Sequence, residues 1–210
     1  VMQSNGGMAS ATATRERPVN TLLSGPAAGV RGAAHVAGES GVDDVLTMDM
    51  GGTSCDVSLV QDGDPVVTTE GQVGDYPVTV PMVDVHTIGA GGGSIAWVDE
   101  GESLRVGPRS AGADPGPICY GRGGTEPTVT DAHLLLGRID PAAFFEGSAD
   151  EAAVRAAVRE RVADPLGLSV EAAAQGIVDV ANANMERALR VVSVERGHDP
   201  RAFALAAFGG

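Results

Sequence analysis

The hydrophobic period of this chain changes once along its length, and that change limits the folds open to it. Between Val45 and Thr69 apolar and polar residues alternate in short runs, VLTMDM, DVSLVQDG and PVVTTEG, with glycine and acidic turns between them. That is the pattern of neighbouring strands in a meander. Beyond Ser148 the spacing lengthens. Val154, Val158 and Val162 recur every four residues, and Ile177, Ala181, Met185, Ala188 and Val192 follow at spacings of three and four. Such stripes belong to helices buried on one face. A short helix from Pro26 to about Ala37, with Ser24 as its N-cap, precedes the strands. At the end, FALAAFGG reads as a buried strand running into a glycine turn. Helix, strands, long helices and strand, in that order, predict an α/β chain with a mixed sheet and flanking helices.

Finer signals fill in the rest. VTVPMVDVHTIGAGGGSIAWVDEG predicts a strand, a glycine interruption and a second strand, for which ESLRVG is the hairpin partner. PRSAGADPGPICYGRGG is too rich in proline and glycine for either regular element and predicts an ordered, functional loop. SADE at Ser148 to Glu151 matches a capping box, and Pro165 with Gly167 ends the helix that follows. Ser169 and Glu171 open the last helix, which runs to about Glu195, whereas ATATRERPVNTLLSG reads as irregular. We read one structural domain in three consecutive segments, 1–40, 41–127 and 128–210. With 43% hydrophobic residues but only 3% aromatic, its core must be built from Val, Ala and Leu.

Charge removes several functions. The formal net charge is −14 and every one of the 14 basic side chains is arginine. A Walker-type phosphate loop and a lysine Schiff base are therefore excluded within this segment. An acidic surface repels nucleic acid and anionic membranes, so neither is expected as a partner. Cys55 and Cys119 are too few for a disulfide scaffold or zinc module, which points to buried thiols and a reducing, cytoplasmic setting. No apolar run is long enough to span a bilayer. The start at Val1 and the stop after a strand read as a piece of a longer chain.

The chemistry centres on Asp49 to Asp56, DMGGTSCD. Alternation puts Thr47 and Asp49 on one face of their strand, while Gly51 and Gly52 permit positive φ and close approach of a ligand. Thr53 and Ser54 add hydroxyls beside freed amides. A nest of this kind grips phosphate oxygens without lysine, and a carboxylate beside it can hold magnesium. GAGGGS, with Gly91 and Gly92, and the terminal Gly209 and Gly210 are two more glycine turns at strand ends, and the three together read as one site.

QSNGG, SGPAAG, DMGGTSCDVSL, IGAGGGSIAWVD, GPRSAGADPGPICYGRGG, PTVTDAHLLLGRI and NANMERALRVVSVERGHDPRAFALAAFGG, in this order, resemble the A subunit of the hydantoinase/oxoprolinase family from about Gln3 to Gly210. The resemblance implies the second half of an actin-like, sugar-kinase and Hsp70-like ATPase fold. It implies ATP-dependent opening of a cyclic amide such as 5-oxoproline or a hydantoin, together with a B-type partner chain. Asp49, Gly51, Gly52 and Thr53 would then embrace the β- and γ-phosphates with Mg2+, and Gly209 and Gly210 would begin the turn that meets adenosine. Cys55 stands where the family often has threonine and Ala28 where glycine is common. Relatives that carboxylate acetone or acetophenone keep ketone carboxylation open, and a non-catalytic nucleotide-binding or assembly module is the alternative from another class. Self-association is left open.

Outside the hairpin, Asp84 and His86 share a strand face, and Asp131 with His133 sits in the first turn of a helix capped by Thr128 or Thr130. Asp131 is a catalytic candidate because a glycine-rich loop adjoins it. Arg109 and Arg122 flank that loop as its anion contacts, with Arg122 favoured, and Arg196 and His198 follow the last helix.

Overall fold

The computed structural model describes residues 1–73, 76–144 and 149–210. Among them the strands are β1 (Val45–Met50), β2 (Cys55–Gln61), β3 (Asp64–Pro65), β4 (Val67–Thr68), β5 (Gly71–Val73), β6 (Tyr76–Val78), β7 (Met82–Val83), β8 (Val85–Ile88), β9 (Ser94–Val98), β10 (Leu104–Ser110) and β11 (Ala204–Gly209). The α-helices are α1 (Ala11–Glu16), α2 (Ser24–Glu39), α3 (Val129–Leu135), α4 (Pro141–Phe144), α5 (Glu151–Val158), α6 (Asp164–Leu166) and α7 (Val170–Val192). The chain forms two compact units, which cut across the three sequential segments. One is Val1–Asp49, Asp56–Thr87 and Ala188–Gly209; the other is Met50–Cys55, Ile88–Arg187 and Gly210.

The first unit carries a sheet of order β11-β1-β2-β3, with β8 also paired to β2. Hydrogen bonds from Ala204 N to Asp44 O and from Gly210 N to Met50 O, both 3.0 Å, advance together along the two strands. Strands β11 and β1 therefore run parallel, while β1 and β2 form a hairpin, so the sheet is mixed. Helix α2 lays Ala27, Val30 and Ala34 against Val45, Val60 and Val83, a core of small aliphatic side chains. The helix begins two residues earlier than its proline suggests, because Leu23, at φ 56°, takes the cap position and Ser24 is already helical. The passage read as irregular contains α1, capped by Ser10 Oγ, which accepts from Ala13 N at 3.2 Å. Strand β3 is cut short at Pro65, and the chain moves on to pair β4 with β7. Strand β11 is not buried as expected. It lies at the sheet edge, and Leu205 is 54% exposed.

The second unit pairs β9 with β10 antiparallel, Leu104 opposite Val98 and Val106 opposite Ala96, before the register slips ahead of Ser110. That irregularity carries β10 through Pro108 and Arg109, into the passage that composition assigns to a loop. The valine stripe is as predicted: Val154, Val158 and Val162 are each 0% exposed and share a core with Ala173, Ala174 and Ile177 of α7. Helix α5 passes into a π-helical turn over Arg159–Ala163, and Pro165 sits at the start of α6, where a missing N–H costs little. The stop is Gly167, at φ 64°. Asp150 caps α5 by accepting from Ala153 N at 2.9 Å, while the capping box expected at Ser148 lies outside the described residues. Helix α7 ends at Val192 and not near Glu195, with Ser193 Oγ donating back to Leu189 O at 2.7 Å. No helix among the described residues is long and apolar enough to cross a membrane.

Candidate functional site

Asp49 is the penultimate residue of β1 in the first unit. Its half-buried carboxylate has no hydrogen bond or ion pair among the described residues. Gly29 of α2 makes room beside it, since a Cβ there would lie 3.1 Å from the Phe208 ring and 3.6 Å from Asp49 Oδ2. The following turn, in the second unit, is closed by Gly51 N donating to Ser54 O at 2.9 Å. The amides of Gly52 and Thr53 and the hydroxyls of Thr53 and Ser54 make no hydrogen bond among the described residues. Neither Gly51 nor Gly52 takes the positive φ expected of it. A Cβ added to Gly52 would meet nothing within 4 Å. Glycine at position 52 thus answers no demand of the chain's own packing; it leaves the amide edge uncovered.

The second glycine run packs against the first. Gly92 N donates to Gly51 O at 3.0 Å and Gly93 N to Gly52 O at 2.7 Å. A Cβ on Gly91 would lie 2.6 Å from both Gly51 O and Gly52 C, so the two backbones touch only because no side chain intervenes. Gly91 N is spent on Ser94 Oγ at 2.9 Å. Thr130, in the first turn of α3, donates both its amide and its hydroxyl to Gly92 O, each at 2.8 Å. The structure therefore brings Gly51, Gly52, Gly91 and Gly92 together, the second pair bracing the first. Gly210 joins the same unit through its bond to Met50 O, and Gly209, at φ 101°, ends β11 in the first unit.

Asp131 is 0% exposed, and its carboxylate accepts from Cys119 N at 2.8 Å, Thr128 Oγ at 2.8 Å, Thr128 N at 2.9 Å and Ile118 N at 3.2 Å. It completes a capping box with Thr128 and pins the short 3-10 turn Ile118–Tyr120 of the glycine-rich loop to α3. Sequence reading treats Thr128 and Thr130 as interchangeable caps. The structure divides the work, Thr128 capping α3 and Thr130 holding Gly92. Burial, reinforced by the Asp131 charge, pushes the Cys119 thiol far above its ordinary value, so it is inert as a nucleophile. Burial, and secondarily the Arg138 charge, pulls His133 down.

The remaining candidates have partners of their own. In the first unit Asp84 forms an ion pair with Arg196, which joins two residues singled out separately in the sequence. His86 is half-buried nearby in sequence, and no group of three or more His, Cys, Asp or Glu gathers as a metal site among the described residues. Arg109 pairs with Glu126 at 3.0 Å. Arg122 lies 5.7 Å from the Tyr120 ring centroid, a cation–π contact.

The chain is a mixed α/β protein, and its likeness to solved structures places it in the actin-like ATPase fold class. The ATP-dependent caprolactamase from Pseudomonas jessenii matches with a TM-score of 0.90 at 50% identity, over 100% of this chain and 30% of that one. Nucleotide-free acetone carboxylase matches with a TM-score of 0.87 at 31% identity, again over 100% of this chain and 30% of that one. The chain belongs to the hydantoinase/oxoprolinase family, whose model matches residues 1–210. Caprolactamase subunit alpha of Pseudomonas jessenii is 50% identical over 210 residues, which are 99% of this chain and 30% of that protein.

Proposed function

We propose that this chain supplies part of the ATP site of an enzyme that couples ATP cleavage to opening a cyclic amide. The observations that carry the proposal are, in the first unit, a half-buried Asp49 carboxylate and, in the second, the amides of Gly52 and Thr53, none of which has a partner among the described residues. Backbone amides and hydroxyls in such a turn bind the oxygens of a polyphosphate, and a braced turn loses little entropy on doing so. Asp49 is the residue that would hold magnesium. Its single free carboxylate fits an ion that takes one or two protein carboxylates and completes its shell with phosphate oxygens and water. Magnesium, when bound, neutralises charge on the phosphates during phosphoryl transfer. Gly209 and Gly210 begin the turn toward adenosine. Asp131 acts in this reading by holding the loop and α3, and through α3 Thr130, in place.

An unstrained lactam resists hydrolysis; a phosphoryl group moved from ATP to the amide oxygen would activate the carbonyl carbon to water, the C–N bond would then break with the ring nitrogen leaving as amine, and a second water would release phosphate from the acyl phosphate so formed. Membership of the family and 50% identity to an ATP-dependent caprolactamase support a C–N hydrolase. A B-type partner chain fits a relative that is itself a subunit, and the two buried thiols fit a reducing cytoplasm. The likeness to acetone carboxylase favours ATP-dependent ketone carboxylation as the second reading.

The test is phosphate release from ATP by the full-length protein with its partner, with and without 5-oxoproline, hydantoins or caprolactam. Stimulation by a lactam supports the hydrolase. Stimulation only by a ketone with bicarbonate supports the carboxylase, and no stimulation of a folded complex leaves a non-catalytic nucleotide module.

A further inference from the structure

The second unit contains a cavity of about 780 Å³ that the hairpin does not use, walled by β9, β10 and the middle of α7. Its volume falls in the range of small-molecule sites. Leu104, Val106 and Val180 form an apolar wall, and Trp97, the only tryptophan of the chain, stands beside them. The indole is fixed in orientation because Nε1 donates to Gly107 O at 3.0 Å. Asn184 is fixed likewise, Nδ2 donating to Val106 O at 3.3 Å, which leaves its Oδ1 as an acceptor.

The charges lining the cavity are unequal. Asp99 is consumed by the Arg105 guanidinium at 2.7 Å and by the amides of Gly101 and Ser103 at 3.0 and 2.9 Å. Arg187, one helical turn beyond Asn184, has no ion pair among the described residues. A rigid aromatic surface, an apolar wall and one uncommitted guanidinium suit a small organic acid, whose flat body lies on the indole and whose carboxylate takes the arginine. We propose that this cavity is a binding site for a small monocarboxylate with a flat apolar body, separate from the phosphate hairpin.

Trp97 is its reporter. The full-length protein is titrated with benzoate and, as a neutral control of the same shape, benzyl alcohol, following tryptophan emission against a Trp97→Phe blank. Benzoate is expected to bind on the order of tenfold or more tightly than benzyl alcohol, the value of one charge-assisted contact. Arg187→Gln, at an exposed position with no ion pair among the described residues, should bring benzoate down to the level of the alcohol. Absence of a Trp97-dependent signal, equal affinity for the two probes, or benzoate binding untouched by Arg187→Gln would overturn the proposal. Displacement of benzoate by ATP would also overturn it, because the cavity would then belong to the nucleotide site. Failure on any of these counts leaves the proposed ATP site standing, since Asp49→Asn tests that site alone.

Discussion

Gly91→Ala isolates the contact on which the hairpin rests. Gly91 does not take a positive φ, so an alanine there is free of backbone strain. Taken alone, the change should stabilise by about 0.4–1 kcal/mol through the unfolded chain. The structure reverses that sign. The new Cβ would lie 2.6 Å from Gly51 O and Gly52 C and 2.7 Å from Gly52 O, all backbone atoms with no flexible end to give way. Relief requires the two glycine loops to part, which breaks the bonds from Gly92 N to Gly51 O and Gly93 N to Gly52 O, worth about 1 kcal/mol each. Forced repacking adds about 1–3 kcal/mol. The net expectation is a loss of about 2–5 kcal/mol. Urea unfolding followed by Trp97 emission measures it, with an unchanged slope required for the comparison. Gly52→Ala is the control, because its Cβ meets nothing within 4 Å. It should leave stability unchanged or raised by up to about 1 kcal/mol while impairing ATP turnover. A Gly91→Ala protein as stable as the parent would refute the bracing role.

Asp49→Asn in the full-length protein should abolish ATP turnover with circular dichroism unchanged; turnover at the parental rate would remove Asp49 from the site. Thr130→Val deletes the hydroxyl bond to Gly92 O and keeps the amide bond, so unfolding should reveal a loss near 1 kcal/mol, and Thr130→Ser should restore it. Asp131→Asn turns an amide toward donors that now face carboxylate oxygens, and a loss of about 2–4 kcal/mol is expected in the same assay. His133 is held below its ordinary value by burial and then by Arg138, so the unfolded chain takes up its proton first as pH falls. Its contribution is fully present above about pH 6.5 and is lost as pH drops through the folded value, and His133→Gln should flatten that part of the pH–stability profile.

The elements that burial decides were legible in the sequence. Val154, Val158 and Val162 need only a helical period to be read as core, and β1 and β2 fall in the runs read as strands, although their buried residues are mostly consecutive and do not alternate. Boundaries set by one backbone angle or one hydrogen bond were not, as the left-handed Leu23 replacing Ser24 at the head of α2 and the Ser193 hydroxyl closing α7 illustrate. At the candidate site the glycines were visible but their division of labour was not. GAGGGS and DMGGTS both read as glycine turns at strand ends, and only the approach of Gly91 to Gly51 and Gly52 shows which run braces and which is left open. The hold of Asp131 on Ile118 and Cys119 spans more than ten residues and has no local signature.

Because the hairpin meets its brace main chain on main chain, that contact is more vulnerable to atoms gained than to atoms lost. A conventional alanine scan deletes side chains and would pass over Gly51, Gly52, Gly91 and Gly92 or treat them as background. A scan that adds a methyl group at each glycine in turn would draw the outline of the site, separating positions where the chain refuses the atom from those where only a ligand would.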